Sequence, residues 1–262
     1  ISEIVYAGVQ NEPEVQTLLE TTFGMHYIDD KEIFGGEQDV FDMFSNEKTL
    51  YVVFRGTHHL KDLALDSQLY TTTVGSILFL RSLPFPWPFD QLPHRTLSSL
   101  VLGFGKLYKR YASYFSVTGD LSKGQFTLEQ QLIRFINSSD QYDTVVLAGH
   151  SLGGIVAQGI SLDVTSAKNT YVVSFNSPGL RLNGYSMGIT HEELMKKSIS
   201  INAMFDPISS IDPPRAQIVQ HLPCWAPSVA GECHSMLNIV CQLWASCFDG
   251  KLPPTCAAAV EQ

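Results

Sequence analysis

The stretch TVVLAGHSLGG, residues 144 to 154, runs from an apolar, β-branched segment straight into the pattern Gly-x-Ser-x-Gly, set by Gly149, Ser151 and Gly153. The segment that follows, IVAQGISL (155 to 162), carries apolar residues at helical spacing. A serine hydroxyl is a poor nucleophile, and the chemistry needs this shape. A sharp strand-to-helix turn lifts the oxygen clear of the sheet, and the flanking glycines remove side chains that would collide there. The N-terminus of the helix also favours negative charge developing beside the serine. Alone the five-letter pattern is weak; the strand before it and the helix after it make it specific.

Working outward, three more apolar, β-branched runs join TVVLAG: LYVVF (50 to 54), YVVSF (171 to 175) and SISINAM (198 to 204). Helical patterns separate them, and such alternation predicts an α/β fold, a central and mostly parallel sheet flanked by helices. FTLEQQLIRFIN (126 to 137) spaces Leu128, Leu132, Ile133, Phe135 and Ile136 as a helix does. THEELMKK (190 to 197) opens with a Thr190 to Glu193 capping box, and NEPEVQTLLETTF (11 to 23) has Asn11 as N-cap with Pro13 in the first turn. EQDVFDMF (37 to 44) and TLYVVF (49 to 54), joined by the polar SNEK, read as a hairpin. With no repeat and no polar linker, residues 1 to 262 read as one domain.

Composition narrows the class. A chain of 262 residues that is 44% hydrophobic and 16% charged is neither disordered, collagen-like nor a coiled coil. Seventeen basic against 26 acidic residues, a net charge of -9, leave no broad basic face for phosphate backbones, so nucleic acid is not an expected partner. The chain opens at Ile1 without a leader pattern, and its five cysteines all lie between Cys224 and Cys256. That clustering suits local disulfide staples, so a secreted protein whose leader has been removed is expected. No C-x-x-C pair occurs, and Cys233 and His234 are adjacent and chelate poorly, so no metal is expected. In a helix, Cys241 and Cys247 would be separated by a rise of about 9 Å, beyond the roughly 7 Å a bridge spans. Pairing of Cys224 with Cys233 stays open.

A long segment around residues 67 to 100 interrupts the α/β pattern. It contains VGSILFLRSLPFPWPF (74 to 89), broken by Pro84, Pro86 and Pro88 and carrying Arg81, too interrupted for a membrane-spanning helix. An insertion of this length reads as a lid, a binding loop or an interface, against the plainer alternative of a buried loop with its own small core.

A nucleophilic serine requires a base and a carboxylate that orients it, and in sheets of this kind they follow in the order serine, acid, histidine. Asp206 stands directly after the run SISINAMF, at a strand end; its rivals, Asp163 and Asp212, lie in the helix after the serine and in a proline-rich loop. Three histidines follow Ser151. His191 opens a helix, His221 precedes a proline loop, and His234 sits beside Cys233 ahead of the apolar helix SMLNIVCQLW, where a staple would hold its ring; His234 is preferred over His221. His150, inside the turn, is expected to pack behind the site. An oxyanion would be met by the N–H of Leu152 and by a donor on the loop after LYVVF, where Arg55-Gly56 leads to Thr57.

The blocks VVFRGT (52 to 57), AGHSLGG (148 to 154), FNSPG (175 to 179), DPISSIDPP (206 to 214) and HSM (234 to 236) resemble, in order, those of the class 3 lipases. GF (103 to 104) resembles the block after the lid in that family. FNSPG departs from the usual FGxPR form. The resemblance implies an α/β-hydrolase fold with a lid, Ser151 as nucleophile, Asp206 as acid and His234 as base. It further implies Thr57 and Leu152 as oxyanion donors, and Asp66 as a carboxylate supporting Thr57.

Together these residues predict a serine carboxylic-ester hydrolase working through an acyl-enzyme, with no cofactor. The resemblance makes the ester a lipid, a triacylglycerol or a phospholipid, and the apolar flap suits transient contact with a lipid interface. A feruloyl-type or small-ester esterase uses the same triad, and a hydrolase fold kept as a silent binding protein is the reading from another class.

Overall fold

The computed structural model describes residues 13–29, 33–34, 41–56, 121–179, 197–206, 208–210, 216–224, 233–247 and 256. The expected lid at 67 to 100, Thr57, Asp66, and the expected helix at 190 to 197 apart from Lys197 lie outside the described residues.

Among the described residues, seven strands form one sheet in sequential order. They are β1 (His26–Ile28), β2 (Phe41–Asn46), β3 (Thr49–Phe54), β4 (Thr144–His150), β5 (Asn169–Phe175), β6 (Ser198–Ala203) and β7 (Ile218–Leu222). β1, β2 and β3 pair antiparallel, and β3 through β7 run parallel, so the sheet is mixed but mostly parallel as the alternation predicts. The hairpin turns later than expected. Ser45 and Asn46 belong to β2, Asn46 pairs with Thr49, and Glu47 turns the chain with φ 48. Phe41, Asp42, Met43 and Phe44 are all buried, so no polar alternation marks where that strand lies.

Helices cover both faces. On one, α2 (Leu121–Ser138) and α3 (Leu152–Asp163) bury Leu132, Ile136, Ala157 and Ile160 against Leu50, Val52, Val145 and Leu147. On the other, α1 (Pro13–Phe23) sets Leu19 against Phe44 and Val53, while α4 (Met236–Cys247) sets Met236 and Ile239 against Ala203 and Ile201. Adjacent Val52 and Val53 thus serve opposite cores, as the two-residue period of a strand demands.

The edge strands β1 and β7 are absent from the sequence reading. β7, IVQHL, is exposed at its first four residues and is a strand because its register with β6 pairs Asn202 with His221. At the other end of each inner parallel strand the chain leaves the same sheet edge: Ser151 follows β4, Asn176 follows β5, and Asp206 comes shortly after β6. Crevices for chemistry form at that edge in open α/β sheets. Two disulfides tie the C-terminal region, Cys224–Cys233 and Cys241–Cys256.

Candidate active site

Ser151 occupies the turn between β4 and α3 with φ 56 and ψ -126, a conformation a non-glycine residue adopts only when its surroundings impose it. The glycines show what imposes it. A Cβ on Gly153 would lie 2.6 Å from the Phe54 carbonyl oxygen and 2.7 Å from that of Arg55, and one on Gly149 would lie 2.3 Å from the Gly153 backbone. The turn is therefore pressed against the exit of β3. The Ser151 N–H donates to the Phe175 carbonyl at 2.9 Å, and its hydroxyl makes no capping bond to α3. That hydroxyl instead meets His234 Nε2 at 2.9 Å.

On the other side of the ring, His234 Nδ1 lies 2.9 Å from Asp206 Oδ1. An ionised carboxylate only accepts, so Nδ1 carries the proton and Nε2 is left to accept from the serine. Phe205, at φ 67, turns the chain from β6 into a loop that cradles the acid. Oδ1 also accepts the Ile208 N–H at 3.1 Å and Oδ2 the Ser209 N–H at 2.9 Å. Burial pushes the Asp206 carboxyl up, but the hydrogen bond and charge of His234 and the bonds from Ser209 outweigh it, holding the group below its ordinary 3.8. The arrangement can draw a proton from Ser151 and stabilise the imidazolium that results.

Residues 51 to 215 match the family described as lipase (class 3). The chain belongs to the class 3 lipase family. No curated protein matches it. Among solved structures, that of M37 lipase is similar at 12% identity with a TM-score of 0.31, over 64% of this chain and 49% of that one. The chain thus spans about half the length of that lipase, and the likeness is too slight to bear on the fold.

In this class 3 lipase family member the matched region holds Ser151 and Asp206 but ends before His234, so only the geometry brings the histidine to them. Its rivals fall elsewhere. His221 lies on the edge strand β7 and is exposed, and His191 and Asp212 lie outside the described residues. Asp163 closes α3, about 18 Å along the helix from Ser151. Leu152 is the first residue of α3 and buried, so its N–H is one of the donors that have no carbonyl within the helix to meet.

His150 is buried behind the site as expected, and its Nε2 donates to the His234 carbonyl at 2.8 Å. Two residues escaped the sequence reading. Buried Asp42 on β2 accepts from Arg55 Nη2 at 3.3 Å, fixing the exit of β3; an acid inside an apolar run is its only signal. Asn176 is the second, and its signal is the departure of FNSPG from the family form. Among the described residues no three His, Cys, Asp or Glu side chains group as metal ligands, and no helix is long and apolar enough to cross a membrane.

Proposed function

We propose that this chain is a serine carboxylic-ester hydrolase acting on lipid esters. The observation that carries the reading is the continuous relay Ser151–His234–Asp206 at the sheet edge. Ser151 Oγ attacks the ester carbonyl while His234 Nε2 takes its proton, and Asp206 holds the ring and balances its charge. The N–H of Leu152 and a donor from Thr57 meet the oxyanion, with Asp66 supporting Thr57. His234 then hands the proton to the departing alcohol, and water, deprotonated by the same ring, releases the acyl group. No cofactor enters either half.

Membership of the class 3 lipase family supports a lipid as the substrate, and the apolar stretch 74 to 89 suits a flap that rests on a lipid interface. The disulfides Cys224–Cys233 and Cys241–Cys256 support an extracellular setting. We read residues 1 to 262 as a single catalytic domain.

The test is fatty-acid release from an emulsified triglyceride and from a phosphatidylcholine dispersion, wild type against Ser151→Ala. Release that falls at least about a thousandfold in the variant supports the reading, and the ratio of the two rates identifies the lipid class. Release undiminished by the substitution rejects it. Cleavage confined to soluble phenolic or short-chain esters replaces the lipid with a small ester, and silence on every ester leaves a binding protein.

A further inference from the structure

The end of β5 touches all three segments that carry the proposed triad. The Phe175 carbonyl accepts the Ser151 N–H at 2.9 Å, and the N–H of the next residue, Asn176, donates to the Ile201 carbonyl on β6 at 2.9 Å. The Asn176 side chain then divides its two ends. Oδ1 accepts the N–H of Ala203, three residues before Asp206, at 2.7 Å, and Nδ2 donates to the carbonyl of Cys233, the residue before His234, at 2.9 Å. Asn176 is fully buried and holds φ 45.

Few side chains meet these demands together. The left-handed backbone favours glycine or asparagine. Glycine offers neither bond, aspartate accepts but cannot donate when ionised, and serine is too short to reach two elements on different sides. An amide is at once an acceptor for a strand N–H and a donor to a loop carbonyl. Because both backbone partners are buried, losing the amide would leave each without its bond.

We propose that Asn176 is the positioning residue that sets the distance between His234 and Asp206, and through Phe175 their place relative to Ser151. The disulfide Cys224–Cys233 limits how far the His234 segment can stray from β7, but Asn176 is the side chain that joins that segment to the strand bearing the acid. His150 adds a second hold on the His234 backbone from the nucleophile turn. The inference rests on the hydrolase reading above, since the distance matters only if the relay works.

Asn176→Gly keeps the backbone conformation and removes both side-chain bonds, and Asn176→Asp keeps the acceptor for Ala203 while removing the donor to Cys233. We would measure kcat and KM on a soluble chromogenic ester, and the low-field proton resonance of His234 Nδ1–H, with Ser151→Ala as the inactive reference. A misplacement of the ring is expected to lower kcat about 10- to 100-fold in Asn176→Gly with KM changed less than about twofold. The low-field resonance should shift or vanish in both variants. A purely structural role would lower the melting temperature while leaving kcat of the folded protein and the resonance as in wild type, and that result overturns the proposal. If Asn176→Gly does not fold, the near-isosteric Asn176→Asp decides by the same two readouts. Activity surviving in Ser151→Ala sinks the hydrolase reading instead, and the resonance, which needs no turnover, still reports on Asn176.

Discussion

The rings of His150 and His234 lie 4.8 Å apart, tilted by 36°, and His150 Nε2 donates to the His234 carbonyl at 2.8 Å. The residue before the proposed nucleophile thus holds the backbone of the proposed base. His150→Phe keeps a ring of similar size and removes the donor, leaving a part-buried carbonyl without that bond at a cost of about 1–3 kcal/mol. We expect a lower melting temperature and a drop in kcat of about tenfold, measured by thermal unfolding and soluble-ester turnover. Unchanged kcat would make the contact one of packing only.

Asp206→Asn removes the charge that selects the Nδ1–H tautomer, and kcat should fall by about a thousandfold or more. The carboxyl is held below its ordinary 3.8, so in the folded protein it stays ionised to lower pH than in the unfolded chain. Its contribution to stability is therefore complete above that ordinary value and is lost as pH falls through the depressed one. Denaturant midpoints of wild type and variant should converge as pH is lowered below about 4. A gap that is constant from pH 7 to pH 2 would contradict this.

Glu129 on α2 behaves in the opposite sense. Burial first, and then the Asp163 charge at the end of α3, push its carboxyl above the ordinary 4.5. Ionising it in the fold costs stability, and the cost appears as pH rises above that ordinary value. Glu129→Gln should raise the melting temperature at pH 7 and give no gain at pH 3. An equal gain at both would point to the shape of the amide rather than to the charge.

The staple beside His234 should matter more for turnover than its neighbour. Cys224–Cys233 closes a short loop, with a sequence separation of 9, and opening it costs about 2–3 kcal/mol by loop entropy alone. Replacing both cysteines by serine is expected to lower kcat as well as stability, because Cys233 precedes His234. The same double change at Cys241 and Cys256, which anchors α4, should lower stability and spare kcat. Equal kcat losses in the two pairs would refute this distinction.

Gly153→Ala places a methyl 2.6 Å from the Phe54 carbonyl and 2.7 Å from that of Arg55, both main-chain atoms that cannot step aside. Little folded, soluble protein is expected. At Gly154 the nearest obstacle is the Ser177 side chain, at 2.5 Å, so pairing Gly154→Ala with Ser177→Gly should recover some folded protein. Circular dichroism and soluble yield report both. A well-folded Gly153→Ala would mean that the turn does not press on β3.

The turn around Ser151 and the parallel strands on either side were legible from the chain alone. Each is a local pattern: a run of β-branched residues, a helical period, glycines where a turn is tight. The edges of the sheet were not, since β1 and β7 are strands by pairing, and β7 exposes most of its residues.

Local pattern also offered two histidines for one role, ahead of and beyond the Cys224–Cys233 staple, and preferred the second, His234. Strand pairing separates them in space: the register of β7 with β6 leaves His221 exposed on the edge, while His234 meets Ser151 and Asp206. The staple and Asn176 carry His234 back over the ends of β4 and β6. Asn176 bonds residues 27 and 57 positions further along the chain. No periodicity records contacts of that range. The sequence by itself therefore pointed to a hydrolase on a mostly parallel sheet with His234 preferred as its base, and only the tertiary structure, through contacts that no local pattern encodes, brought His234 within reach of Ser151 and Asp206.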